Sequence, residues 1–159
     1  MKITKFNELF TLFANVGVLL GIIFLAVEIN QNTRTTQITA YQALTESIID
    51  INSLILLDGD VERIRYAALT NDPNISEEDT RRYIAYLRIL QRQSELAFVQ
   101  FENGFIDGTL ARRSMGPLLD HLGRSDLAKD FWQGVESAWP EFGQFVDELR
   151  REPQNLGEY

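Results

Sequence analysis

The feature that most constrains this chain is an apolar run from Leu9 to Val27. Only Thr11 and Asn15 are polar in these 19 residues, and none is charged. As a helix rising about 1.5 Å per residue, the run covers roughly 28 Å, close to the hydrocarbon thickness of a bilayer. It is too apolar on every side for an amphipathic surface helix. The sequence therefore predicts a transmembrane helix over residues 9–29, after a short flank over residues 1–8.

Two alternatives compete with a membrane span. Lys2 and Lys5 precede the run as in a secretion signal. However, its apolar part would be unusually long, and a cut after Ala26 would place Phe24 where a small residue is preferred. The other alternative is a buried core helix of a soluble protein. We expect one uncleaved transmembrane helix.

Small and polar residues inside the run are candidates for helix packing in the membrane. Gly17 and Gly21 form a G-x-x-x-G pair, which lets two membrane helices approach closely. Asn15 needs a polar partner or a shallow depth in the bilayer. A groove that faces lipid is the alternative use of the glycine pair. These three residues form the predicted packing site.

The chain after the run predicts a helical domain over residues 30–152. The polar stretch that follows has no Gly or Pro, so the first helix is expected to leave the bilayer unbroken and to end at Gly59 as a C-cap. Its outer part carries a heptad stripe: Tyr41, Leu44, Ile48, Ile51 and Ile55. A short helix is predicted over residues 61–70.

A second long helix is predicted over residues 77–103, with Ser76 as its N-cap. It carries a matching stripe: Tyr83, Leu87, Leu90, Ser94, Ala97 and Phe101. Residues 31–57 and 77–103 have equal lengths and a compact connection, which predicts a long antiparallel hairpin over about 31–103. This hairpin would return the chain to the membrane near Gly104. The predicted fold class is all-α.

Shorter helices are predicted over about 109–151, followed by a flexible tail over 153–159. Gly116 and Pro117 are expected to break or kink the first of them. The last two share an aromatic-rich face that includes Trp132, Trp139, Phe142 and Val146. Core packing is the favoured use of this face. A partner surface or a membrane-interface contact is the functional alternative, since Trp is frequent in both.

The composition excludes several kinds of chemistry. The chain has no cysteine and one histidine, His121, so thiolate and two-histidine metal sites are impossible. We expect His121 at the surface or at a helix cap. The net charge is −8 and the arginines are interspersed with acidic residues, which argues against nucleic-acid binding. No catalytic residue, cofactor or metal site is predicted, and the protein is expected not to be an enzyme.

Three segments resemble those of a widespread group of small bacterial membrane proteins with no assigned activity. They are the boundary FLAVEINQNTR (residues 24–34), FENGFID (101–107) and PEFGQFVDEL (140–149). The group has an apolar span, a Leu-Ala-x-x-Ile-x-Gln-Asn-Thr-Arg-like boundary and a helical domain. The resemblance implies a single-pass protein of the bacterial inner membrane and carries over no catalytic residue.

The basic residues favour a non-cytoplasmic location of the helical domain. Lys2 and Lys5 precede the span and only Arg34 closely follows it, which suits an internal N-terminus. The usual pattern of the resembled group favours the opposite side. We expect a non-enzymatic, membrane-anchored interaction protein, most concretely an accessory subunit of a larger integral membrane complex. The alternative is a self-associating signalling or sensor module that uses Gly17, Gly21 and the Tyr41–Ile55 stripe.

Overall fold

The computed structural model describes residues 2–151, and within them the chain is all-α. It has six helices and no strand in this range. The helices are α1 (Lys2–Leu57), α2 (Gly59–Leu69), α3 (Glu77–Glu102), α4 (Gly108–Arg124), α5 (Asp126–Ala138) and α6 (Pro140–Arg151). The all-α class is confirmed. The predicted flexible tail over residues 153–159 lies outside the described residues.

Local capping explains most of the helix boundaries. The Ser76 hydroxyl accepts a hydrogen bond from the Asp79 backbone N–H at 3.0 Å, as predicted for the start of α3. The expected C-cap at Gly59 is wrong, because Asp58 interrupts the helix and caps α2, whose first residue is Gly59. The expected break at Gly116 and Pro117 is also wrong, since α4 continues through both residues, whereas a kink there stays a prediction.

Two left-handed residues end helices in the same way. Gly104 has a φ of 70°, and the Gly104 and Phe105 N–H groups bond back to the Phe101 and Gln100 carbonyls. This 5→2 and 6→1 pairing is a Schellman motif, which needs a left-handed residue. Asn71, with a φ of 51°, ends α2 with the same pattern of backbone bonds. Gly and Asn are the residue types that most readily adopt this left-handed conformation.

The chain divides into two units, Met1–Thr39 and Ala40–Tyr159. Among the residues whose burial the structure describes, the buried core lies in the second unit. Helix α3 supplies the largest share of them, and it packs most extensively on α4 and also contacts α2, α5 and α6. The predicted α3 stripe is confirmed: five of its members are buried and Phe101 is partly buried.

The outer part of α1 contributes to the same core, but with a shifted stripe. Leu44 and Ile51 are buried and Ile55 packs partly against the core, whereas Tyr41 is exposed and Ala40 is buried in its place. Leu44, Ile51 and Ile55 of the predicted stripe therefore pack against the core of the same chain. The main neighbour of α3 is α4, and not the outer part of α1. The long hairpin over residues 31–103, with its return to the membrane near Gly104, therefore stays a prediction.

Candidate functional site

The apolar segment, residues 10–27, is solvent-exposed along its whole length in the part of the chain that the structure describes. Every one of these residues is exposed, including large side chains such as Phe13, Leu20 and Phe24. Among the described residues, α1 contains the one helix that is long and apolar enough to span a membrane, and none of its most apolar window is buried.

The predicted packing residues Asn15, Gly17 and Gly21 lie in the exposed apolar segment. A Cβ atom built on either glycine would meet no other atom within 4 Å. The glycines thus leave open space on α1, and their use in helix packing stays a prediction.

The polar boundary after the apolar segment satisfies its own hydroxyl groups. Thr33, Thr35 and Thr36 each donate a hydrogen bond to the carbonyl four residues earlier, at 2.9 to 3.0 Å. Thr39 does the same at 3.0 Å. Each of these hydroxyls is therefore hydrogen-bonded within α1 itself.

The predicted partner surface is largely interior, which corrects that interpretation. Trp132, Phe142 and Val146 are buried and Trp139 is partly buried. Phe142 contacts both tryptophans with ring-centroid distances of 5.5 Å, and Phe98 of α3 lies 5.5 Å from Trp139. Since α5 and α6 are amphipathic, they turn this aromatic face toward α3. The residues pack as core, which was the favoured alternative.

A second cluster, which the sequence did not predict, lies inside the helical domain. The three-ring cluster consists of Tyr83 and Tyr86 on α3 and His121 on α4. The Tyr83 hydroxyl oxygen is 2.6 Å from His121 Nδ1, and the Tyr86 and His121 rings are 5.4 Å apart. His121 is only 2% exposed, so its expected position at the surface or at a cap is wrong.

Burial controls the protonation of this cluster. Loss of solvent lowers the pKa of His121 to about 4, against the favourable charge of Asp120. The same loss raises the pKa of Tyr83 to about 12, although a hydrogen bond with Ser125 acts in the opposite direction. Both groups are therefore neutral near pH 7. In the Nε2–H tautomer, the phenol donates its proton to Nδ1.

The position of His121 follows from helix periodicity. Its neighbours on the buried side of α4 are Ala111, Met115, Leu118 and Leu122. His121 follows Leu118 by three residues and so lies on the same face. That spacing could have predicted the buried position of His121. The contact with Tyr83 could not be predicted from the sequence, because it joins residues 38 positions apart.

Both titratable groups of the Tyr83–His121 pair are in their neutral forms near pH 7. Its neutral histidine faces a phenol with a raised pKa. Within residues 2–151, no group of three or more His, Cys, Asp or Glu side chains is close enough to hold a metal ion. No family model, curated protein or solved structure matches this chain.

Proposed function

We propose that the protein is a non-enzymatic, membrane-anchored helical interaction protein. The observation that carries this proposal is the exposed apolar segment, residues 10–27, which lies outside the buried core of the chain. Sixteen of these eighteen exposed positions are non-polar, which is too costly to leave in water, so lipid or another protein must cover them. The neutral, buried Tyr83–His121 pair suits a structural role better than catalysis.

Membrane extraction tests the anchor. The full chain should stay in the membrane fraction after a carbonate wash and keep its N-terminal residue. Leu20→Arg should impair insertion, because a central arginine costs about 2.5–3.5 kcal/mol on translocon scales. Leu20→Ala is the matched control and should insert normally. Release of the unmodified chain by carbonate would contradict the anchor.

Thiol labelling tests on which side the domain lies. The chain has no cysteine, so a single substitution at the exposed Ser137 gives one reactive thiol in an otherwise silent background. The distribution of Lys2, Lys5 and Arg34 favours the non-cytoplasmic side. A membrane-impermeant maleimide should then label Ser137→Cys in intact spheroplasts. Labelling only after lysis would place the domain in the cytoplasm.

Native purification separates the accessory-subunit proposal from self-association. An integral membrane partner should co-purify in fixed stoichiometry and be lost in Gly17→Leu with Gly21→Leu, because the larger side chains block close helix approach. Ala26→Leu also adds a large side chain, but on another face of α1, and should retain the partner. A homodimer would favour self-association through the glycines alone, because Leu44 and Ile51 of the heptad stripe are buried in the core.

A further inference from the structure

A shallow depression on α1 lies at the boundary where the apolar segment ends. It is lined by exposed residues of one helix face, which we call the boundary face: Ala26, Ile29, Asn30, Thr33, Arg34 and Gln37. Along the helix this face changes from apolar at Ala26 and Ile29 to polar at Asn30 and cationic at Arg34. A phospholipid changes in the same direction, from its acyl chains to its phosphate.

The charge of Arg34 is not neutralised by a carboxylate on its own helix. None of the side chains three or four positions away is acidic: Asn30, Gln31, Gln37 and Ile38. Within residues 2–151, Arg34 forms no ion pair. In the helical domain, Arg82 and Arg124 instead pair with a carboxylate four residues away. The guanidinium group of Arg34 is therefore available to an external anion.

The position of Arg34 along α1 matches the level of the lipid phosphates. If the proposed span ends at Ile29, Arg34 lies about 7.5 Å beyond the hydrocarbon, at about 1.5 Å per residue. The polar headgroup layer is roughly 5–7 Å thick on each side of a bilayer. Because helix side chains point back toward the N-terminal end of the helix, the Arg34 side chain extends toward the bilayer and into this layer.

Asn30 supplies a second hydrogen-bond donor on the boundary face. It precedes Arg34 by four residues, so the two side chains are neighbours on the helix surface. The Thr33 hydroxyl beside them already donates to the Ile29 carbonyl at 2.9 Å. Glu28, the nearest carboxylate along the chain, lies about 120° around the helix from Arg34. The boundary face therefore presents two donor groups and no carboxylate.

We propose that Arg34 and Asn30 bind the phosphate of a phospholipid that lies along the boundary face. The guanidinium group supplies the positive charge and a pair of N–H donors, and the Asn30 amide supplies a further N–H. The acyl chains of the same lipid contact Ile29 and Ala26. This proposal rests on the membrane anchor of the proposed function and names the lipid group that the anchor binds at its polar end.

Solid-state NMR of the full chain in phosphatidylcholine bilayers, in a buffer without phosphate, tests the contact. The arginines carry ¹³C at Cζ, and ¹³C–³¹P dephasing reports which guanidinium groups lie close to lipid phosphorus. Part of the arginine signal should dephase, and Arg34→Gln should remove this part. Arg81→Gln removes an exposed arginine of the helical domain and should leave the dephasing unchanged.

Three results of this experiment would overturn the proposal. The first is no dephasing in the unmodified chain, a measurement that needs no variant to fold. The second is equal dephasing in the unmodified chain and in Arg34→Gln. The third is an equal loss in Arg34→Gln and Arg81→Gln, because the contact would then not be specific to Arg34.

A pair of asparagine variants tests the second donor. Asn30→Leu removes the amide and should slow the dephasing of the Arg34 signal, because a phosphate held by one group is less closely bound. Asn32→Leu makes the same change at an exposed position on another face of α1 and should leave the dephasing unchanged. Equal dephasing in the two variants would overturn the site made of two donors.

Carbonate extraction separates this proposal from the anchor itself. Arg34→Gln keeps the whole apolar segment, so it should stay in the membrane fraction as the unmodified chain does. If both chains stay there and the Arg34 signal does not dephase, the lipid site is wrong and the anchor stands. Release of the unmodified chain would overturn the anchor and the lipid site together.

Discussion

The apolar segment and the helical domain use similar residues in opposite ways. Phe24 in the segment is 67% exposed, whereas Phe142 in the domain is fully buried at 0%. Burial of apolar area stabilises a fold by about 25 cal/mol per Å². The domain gains this free energy within the chain, and the segment gains it only from an external environment. An apolar side chain therefore indicates that its surface must be shielded from water, but it does not indicate whether protein or lipid shields it.

The largest effect is expected for truncation of a core side chain. Leu90 is 1% exposed and Leu96, on the same helix, is 40% exposed. Leu90→Ala should lower the free energy of unfolding of the domain by about 2–5 kcal/mol, because it leaves a cavity. Leu96→Ala should lower it by less than about 1 kcal/mol. Chemical denaturation measures both, and equal losses would contradict the assigned core.

Acid should destabilise the domain through His121. Its pKa is about 4 in the fold and 6.5 ordinarily, so between these values the unfolded chain binds a proton that the folded chain does not. The free energy of unfolding should therefore fall as the pH falls from 6.5 to 4, by about 3 kcal/mol in total. This contribution is fully present above pH 6.5.

His121→Gln isolates this effect from other titrating groups. The variant lacks the histidine proton, so its stability should depend less on pH over the same window. Asp79 and Glu62, whose pKa values are lowered by Arg63 and Arg65, remain in both chains and cancel in the comparison. Parallel pH profiles for the two proteins would show that His121 is not buried as a neutral group.

A close approach of α5 and α6 should make Gly143 intolerant of a side chain. A Cβ atom at this position would lie 2.7 Å from Glu136 Cγ and 3.2 Å from Glu136 Cα. Gly143→Ala should cost about 1–3 kcal/mol through overpacking. Gly134, inside α5, has open space around it, and Gly134→Ala should stabilise by about 0.5–1 kcal/mol. Thermal unfolding should show opposite shifts, and shifts of one sign would contradict this packing.

The smallest effect is expected where the segment is truncated. Leu20 is exposed, so Leu20→Ala creates no cavity. The free energy of unfolding of the domain should change by less than about 0.5 kcal/mol. Denaturation of the full chain in nanodiscs measures this, with Leu90→Ala as the positive control. A loss comparable to that of Leu90→Ala would remove the contrast between the two regions.

Much of the secondary structure followed from local sequence signals. The start of α3 at Glu77 was read from Ser76 and Asp79, and its stripe from Tyr83 to Ala97 was read from spacing alone. The break expected at Pro117 is absent, because the effect of a proline on a helix depends on the surrounding packing, and α4 continues through it. The N-cap role of Asp58 could not be predicted, because the adjacent Gly59 was an equally plausible end of the preceding helix.

The sites were less predictable than the helices. Trp132 and Phe142 were correctly placed on one face, but the sequence could not distinguish core from partner surface, since tryptophan serves in both. The pairing of Tyr83 with His121 could not be predicted from the sequence, because the two residues lie on different helices. The same holds for Asn71, whose side chain bonds to the Arg124 carbonyl and the Asp126 N–H.

The sequence by itself determined the all-α class, the Ser76 cap of α3 and the apolar segment, because these depend on backbone preferences and on residues within a few positions of each other. Only the tertiary structure decided that the aromatic face is interior, that Leu44 and Ile51 serve the core, and that His121 meets Tyr83. These outcomes depend on which helix faces meet. Many pairings of amphipathic faces satisfy one periodicity, and only packing and hydrogen-bond geometry distinguish them.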